Sequence, residues 1–553
     1  MHQTIIMSRF IKILLTGFAS LFLSTIVSAD LPEVVEQGLN KAGLDNKNIS
    51  LIIQPINTPQ TSKLNPYYLQ LQQDLLEQAN TQSSISSVDT DFILNEANES
   101  LYLSPQVLTQ LPLSDSIEHL SNVARTPAST MKLIPTFIAL DQLGSDFRWV
   151  TQVYYTGVKI GGTLHGDLII KGSGEPKMTH ERLTMLLYQV QKAGILHIDG
   201  NIIWDGSIFQ KVGKDPSQFD NKPLRPYNAS PDGFLVNFSS VGMTSLPSKN
   251  GTMRLTYKPS LAGYRLPNLI DTRSGRCRTA KQSLAPVWQA SGLQFNKNLP
   301  SACGLHTFYI AYPDPKVFAQ KVVQDIWQTL GNTLTGEVLS IEDTSILEQL
   351  NQDKVGLLSF GVKLPIVNYP SQPLAQQIYD INHYSNNVMT EQVLLSLPVY
   401  DDKKSINHSN YSVAIKYVDD WWQTHLSSQP PYLTNGSGLC RDCKVTANNL
   451  AELLAYAYQH PEFETYLQSL GVAGISGTIY AHKNRLPNSL AIGRAWIKTG
   501  TLDNVTAMAG YVHGSSGQDY VVVGIINADS EQKLNTTQAR RTLDVMLNWT
   551  ARH

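Results

Sequence analysis

Residues 128–144 constrain this 553-residue chain more than any other stretch. Met131, Leu133, Ile134, Phe137, Ile138 and Leu140 make the stretch strongly apolar. The pattern predicts a largely buried helix, with Gly144 as its stop. Such a helix needs other layers packed about it and belongs inside a large domain. Yet it opens on Ser129-Thr130-Met131-Lys132. That spacing sets a hydroxyl and an amine one turn apart on the same face. Pro135 predicts a loosened or kinked turn near Lys132, because its ring carries no N–H.

A serine hydroxyl is a weak nucleophile and needs a base beside it. A lysine buried near other positive charge is neutral enough to serve. By itself Ser-x-x-Lys is weak: Ser129 also reads as a helix N-cap, and Ser530-Glu531-Gln532-Lys533 has the same form in what reads as a turn. Lys498-Thr499-Gly500 is rarer. It closes a strand predicted over 495–498, with Thr501 next. A lysine and a hydroxyl there can hold a carboxylate, and a glycine lets backbone approach backbone. Ser385-Asn386-Asn387 lies between two apolar helical stretches, but Ser248-Lys249-Asn250 and Ser405-Ile406-Asn407 share its pattern.

Order adds what each motif lacks. Ser-x-x-Lys on a buried helix, Ser-x-Asn at a helix junction and Lys-Thr-Gly on a late strand resemble the penicillin-recognising serine enzymes. From Ser129 to Ser385 is 256 positions, a gap similar to that of the low-molecular-mass class C penicillin-binding proteins. This is the D-alanyl-D-alanine carboxypeptidase/endopeptidase family of the penicillin-binding protein 4 type. Gly162-Thr163-Leu164-His165-Gly166-Asp167-Leu168, Gly172-Ser173-Gly174-Glu175-Pro176, Ser371-Gln372-Pro373-Leu374, Asn435-Gly436-Ser437-Gly438-Leu439 and Gly477-Thr478 resemble that family too. Departures are Glu175, Asn435 and Ser476, where the family usually has Asp, and Cys440-x-x-Cys443, where it has a plain loop. Residues 57–115 are an extra segment rich in Gln, Asn, Ser and Thr.

The resemblance implies an α/β fold: a serine β-lactamase/transpeptidase-like sandwich, a five-stranded antiparallel sheet with helices, carrying a large mostly β insertion of two modules. It implies a transpeptidase-like domain in two parts, 30–149 and 343–553, around an insertion at 150–342. The insertion is expected to hold separate modules without catalytic side chains. The implied catalytic residues are Ser129 as nucleophile, Lys132 as base, Ser385 as proton relay and Asn387 as the group orienting Lys132. Lys498, Thr499, Gly500 and Thr501 are the implied substrate-binding residues. No metal or cofactor is implied. The partners are peptidoglycan stem peptides, with β-lactams as inhibitors. A β-lactamase and a non-catalytic peptidoglycan-binding scaffold are the alternative readings.

Residues 1–29 read as a signal peptide: Arg9 and Lys12, an apolar run, then Val27-Ser28-Ala29 as a cleavage site. The expected location is the periplasm or another exported compartment, with no transmembrane anchor in the mature chain. A net charge of −2 provides no electrostatic reason to expect a nucleic-acid partner. Four cysteines suit an exported chain. Pairing Cys277 with Cys303 and Cys440 with Cys443 closes the smaller loops, and four thiolates on zinc is the rival arrangement.

Overall fold

The computed structural model describes residues 31–83, 111–342, 364–529 and 534–553. The expected signal peptide, residues 84–110 of the polar segment and the Ser530–Lys533 decoy lie outside the described residues.

The strands nearest the C-terminus are apolar at nearly every position, as in Tyr520 to Ile526, which demands cover on both sheet faces. They sit inside one antiparallel sheet. Its strand order is Gly471–Val472, Ala495–Leu502, Val505–His513, Asp519–Asn527, Ile49–Pro55 and Ile117–His119. The sheet has six strands where five were expected, because the three-residue segment Ile117–His119 adds itself at one edge. Ile49–Pro55 pairs along its whole length with Asp519–Asn527, so the two ends of the chain close one sheet. Alternate side chains point to opposite faces. Leu51, Ile53, Ile497, Val522 and Ile526 meet the helices Glu33–Lys41 and Thr536–Arg552. Ile52, Trp496, Tyr511, Val521 and Val523 meet a second layer that includes Leu133–Leu143, Leu374–Tyr384 and Ala447–Gln459.

The buried helix begins with a tight 3-10 turn, Ala128–Lys132, before the regular helix Leu133–Leu143. Pro135 is the third residue of that helix, where a missing N–H removes no intrahelical bond, and the turn before it, at Lys132, is 3-10 rather than α. Gly144 ends the helix at φ 77°, a conformation glycine adopts without strain. The strand carrying Lys498 does not stop there but runs on to Leu502, held by Val505–His513.

Within 150–342 the strands form further sheets. Val338–Ile341, Ile202–Asp205, Leu168–Lys171 and Val150–Tyr155 line up in one sheet, closed by Val367–Pro370. The strand expected over 163–171 is split, because Gly166 and Asp167 break it into Thr163–His165 and Leu168–Lys171. Helices His180–Lys192 and Pro315–Thr329 share that sheet's core. The second helix was not anticipated, although Phe318, Val322, Ile326 and the Asp314-Pro315 start are its legible signals. A separate core, built on Met243, Met253, Leu255, Phe308 and Ile310, belongs to a five-stranded sheet between Ser240 and Ala311. Among the described residues no helix is long and apolar enough to cross a membrane.

Disulfides join Cys277 to Cys303 and Cys440 to Cys443, leaving no thiol pair for zinc. The first pair spans 26 residues beside the five-stranded sheet. Replacing both Cys277 and Cys303 with serine is expected to cost about 3 kcal/mol, because the unfolded loop regains its freedom. Urea unfolding followed by tryptophan fluorescence checks this; an unchanged midpoint would contradict it.

Candidate active site

Five chain segments converge at the start of the buried helix. Ala128 is at φ 49°, a strained value for a residue with a Cβ, and it turns the chain sharply before Ser129. Ser129 is half-buried, while Lys132 one turn on has no exposed surface. The Lys132 amino group donates to Ser129 Oγ at 2.9 Å, to Asn387 Oδ1 at 2.7 Å and to the Ser437 carbonyl. Burial first, then the Lys498 charge, hold its pKa well below the ordinary lysine value of 10.5; Glu391 opposes them and Lys214 adds to them.

Ser385 and Asn387 owe their places to a helix junction. Helix Leu374–Tyr384 ends on Ser385 in the left-handed conformation, and Asn386 caps the next helix, Asn387–Tyr400, by accepting from the Met389 N–H. The sharp reversal leaves Ser385 Oγ 2.9 Å from Lys498 Nζ. Lys498 is fully buried, and burial pushes its pKa down to about 7. Thr499 donates from Oγ1 to Thr478 Oγ1 at 2.7 Å, and Arg540 donates to Thr501 Oγ1 at 2.8 Å. Gly500 is where the strand presses on the turn before Ser129: a Cβ there would lie 2.8 Å from the Pro127 oxygen and 2.9 Å from the Ser129 nitrogen. All eight residues singled out in the sequence therefore meet in one place. A cleft of about 310 Å³ opens above them, lined by Ser129, Asn387, Thr501, Gly438 and Tyr227 among others.

The sequence reading assigned no role to several residues that hold this arrangement. Ser437 supplies the third oxygen around Lys132. Gly438, at φ 78°, lies so close to the turn before Ser129 that a Cβ would fall 1.9 Å from the Ala128 oxygen. Glu391 is fully buried and accepts from Lys214 Nζ at 2.8 Å, Tyr411 at 2.7 Å and Ser437 Oγ at 2.9 Å. Its signal was a lone carboxylate inside the apolar helix that follows Asn387. Asn387 Nδ2 also donates to the Tyr227 carbonyl at 3.1 Å. Lys214 and Tyr227 belong to the inserted segment. A buried carboxylate and a buried amide each need a partner, and the insertion supplies one to Glu391 and one to Asn387.

A serine with a fully buried lysine amine at its side, on an antiparallel sheet between helical layers, is the arrangement expected of the penicillin-recognising serine hydrolases. Comparison with known proteins identifies the family. The D-Ala-D-Ala carboxypeptidase 3 (S13) family model matches residues 112–551, and the chain belongs to that family. It is 22% identical over 424 residues to the D-alanyl-D-alanine carboxypeptidase DacB of Haemophilus influenzae, covering 75% of this chain and 83% of that one. It is 23% identical over 411 residues to a D-alanyl-D-alanine carboxypeptidase of Actinomadura sp., covering 71% of each. The crystal structure of penicillin binding protein 4 from Haemophilus influenzae superposes with a TM-score of 0.64 at 17% identity, covering 94% of this chain and all of that one. The chain is a serine-type hydrolase of the D-Ala-D-Ala carboxypeptidase family.

Gly438→Ala tests the close approach. Its new methyl group would push the 435–439 turn off Ala128 and displace the Ser437 carbonyl from Lys132. Misplacing a reacting group by about 1 Å costs on the order of a hundredfold in rate. Acylation by benzylpenicillin is expected to slow by about that factor, while the melting temperature separates a rate effect from unfolding. A wild-type rate would contradict the contact.

Proposed function

We propose that Ser129 is the nucleophile of a D-Ala-D-Ala carboxypeptidase and D,D-endopeptidase acting on peptidoglycan stem peptides through an acyl-enzyme. The observation that carries this reading is the 2.9 Å bond from a fully buried Lys132 amine to Ser129 Oγ. A neutral amine there takes the hydroxyl proton as Oγ attacks the carbonyl between two D-alanines, or that of a D-amino-acid cross-link. The N–H groups of Ser129 and Thr501 receive the developing oxyanion, an effect of about 3 kcal/mol per donor in comparable hydrolases. As the carbon–nitrogen bond breaks, Ser385 passes a proton to the leaving amine, and Lys132 restores it. Asn387 keeps the Lys132 amine aimed at Ser129. Lys498 and Thr499 hold the terminal carboxylate of the leaving residue. Water then adds to the acyl carbon and returns a proton to Oγ. A β-lactam presents a similar carboxylate and amide to the same hydroxyl, which fits the name of the Haemophilus influenzae protein of like fold. Residues 1–29 support export, to a periplasm in a cell that has one.

Benzylpenicillin is expected to label the protein covalently at one position. Mass spectrometry of tryptic peptides should place the adduct on the peptide holding Ser129, and Ser129→Ala should carry none. Lys132→Arg should fail to acylate although it keeps the charge, because a guanidinium does not deprotonate near neutral pH. Slow clearance of the adduct separates this reading from a β-lactamase. Release of D-alanine or of uncrosslinked fragments from purified peptidoglycan separates it from a scaffold. Full labelling of Ser129→Ala would overturn the assignment.

A further inference from the structure

The five-stranded sheet of the insertion has an open edge. His306–Ala311 is its outermost strand and pairs only with Ser240–Pro247. In an antiparallel pair, alternate residues turn both backbone groups towards the partner strand or away from it. Tyr312 donates inward, to the Ser239 carbonyl. Ala311 faces outward: it donates to the Leu224 carbonyl, and its own carbonyl accepts from Trp288 Nε1. By that alternation Thr307 and Tyr309 face outward too, each with an N–H and a carbonyl. Among the described residues nothing bonds to these groups. Natural edge strands are blunted by proline, lysine or a bulge, and this one has none of them.

The strand lines a cavity of about 470 Å³. Leu224, Ala285, Pro286, Val287 and Phe308 give it apolar walls. Its cations are Lys222, Arg225 and Lys281, and no carboxylate lines it. Lys222 is taken by Asp220, at 3.2 Å. Arg225 and Lys281 pair with no carboxylate among the described residues. Arg225 Nη2 donates to Thr279 Oγ1 at 3.3 Å, while its Nε is buried without a partner. A buried donor left unpaired is costly, so an acceptor brought to it is favoured. The Cys277–Cys303 disulfide ties together the segments that enter the cavity at Thr279 and His306. Residues 222–225 run on to Tyr227, whose carbonyl meets Asn387. An occupant is thus held beside the catalytic cleft, which Lys222 also lines.

We propose that this groove binds an extended acidic segment of a partner protein, which adds as a strand to His306–Ala311. The backbone groups of Thr307 and Tyr309 supply the pairing, which any L-peptide can meet. Selection comes from the side chains: apolar ones fill the walls, and carboxylates between them reach Arg225 and Lys281. A stem peptide fits less well, because D-residues do not continue a strand of L-residues. The proposal does not depend on the active-site reading, so penicillin acylation serves as an independent control.

A fluorescein-labelled seven-residue peptide of alternating glutamate and valine is titrated with the full chain and followed by anisotropy. It is expected to bind about tenfold tighter than its lysine–valine counterpart, the scale of one charge-assisted hydrogen bond. Two methylated forms of it carry N-methyl groups on every valine amide or on every glutamate amide. One form should lose binding and the other keep it, since only alternate amides face the edge. Arg225→Gln should weaken binding about tenfold. Thr307→Pro, at a place where an edge strand tolerates proline, should abolish it. Melting temperature and penicillin acylation report whether each variant stays folded, and the methylated peptides test the edge without altering the protein. No binding of the acidic peptide, or equal binding of the lysine peptide, would overturn the proposal. Binding that survives both methylation patterns would do the same. Self-association in the ultracentrifuge that Thr307→Pro removes would assign the edge to a second copy, and displacement of the peptide by purified peptidoglycan would assign the groove to substrate; either overturns it.

Discussion

The amine of Lys132 is taken wholly out of water and surrounded by three oxygens, from Ser129, Asn387 and Ser437. Each comes from a different part of the chain, so the site exists only when all three parts are in place. An ammonium group in such a place costs several kcal/mol unless a carboxylate neutralises it. The nearest carboxylate in the network, Glu391, is already engaged by Lys214. The arrangement therefore favours the neutral amine, which is the form that can accept a proton. Much of the surrounding fold serves this one placement. The buried helix gives Lys132 its dry environment, Ala128 bends the chain to bring Ser129 forward, and Gly438 and Gly500 leave room for two backbones to close on that bend.

The same network shows why the inserted segment is more than an ornament. Tyr227 supplies a carbonyl to Asn387, and Lys214 supplies the charge that satisfies Glu391. Glu391 in turn holds the Ser437 hydroxyl, whose own carbonyl faces Lys132. Movement in the insertion thereby reaches Lys132 through two hydrogen bonds by way of Asn387 and through three by way of Glu391 and Ser437.

The motifs were legible because catalysis demands particular residue types at short spacings. Ser129 with Lys132, and Lys498 through Thr501, each lie within one turn or one strand. The buried helix and the apolar C-terminal strands were legible from their patterns. What holds the motifs together was not, since Ser437 and Tyr227 act through backbone carbonyls, which every residue possesses. Gly438 matters through an approach that only the folded chain reveals. Where the regular helix begins was not legible either, and the 3-10 turn before Leu133 sets that start. The edge strands Ile117–His119 and Gly471–Val472 escaped notice because two or three residues are too few to carry a period.

The most direct test of a neutral Lys132 is the pH dependence of acylation. The second-order rate constant with benzylpenicillin, followed by stopped flow across the neutral and alkaline range, reports the ionisation of the free enzyme. Acid protonates Lys132 and blocks the reaction; raising the pH frees the amine. The rate should therefore climb with pH along a one-proton limb whose midpoint lies well below 10.5, the ordinary lysine value. A rate that goes on rising to that ordinary value, or one indifferent to pH, would contradict the account.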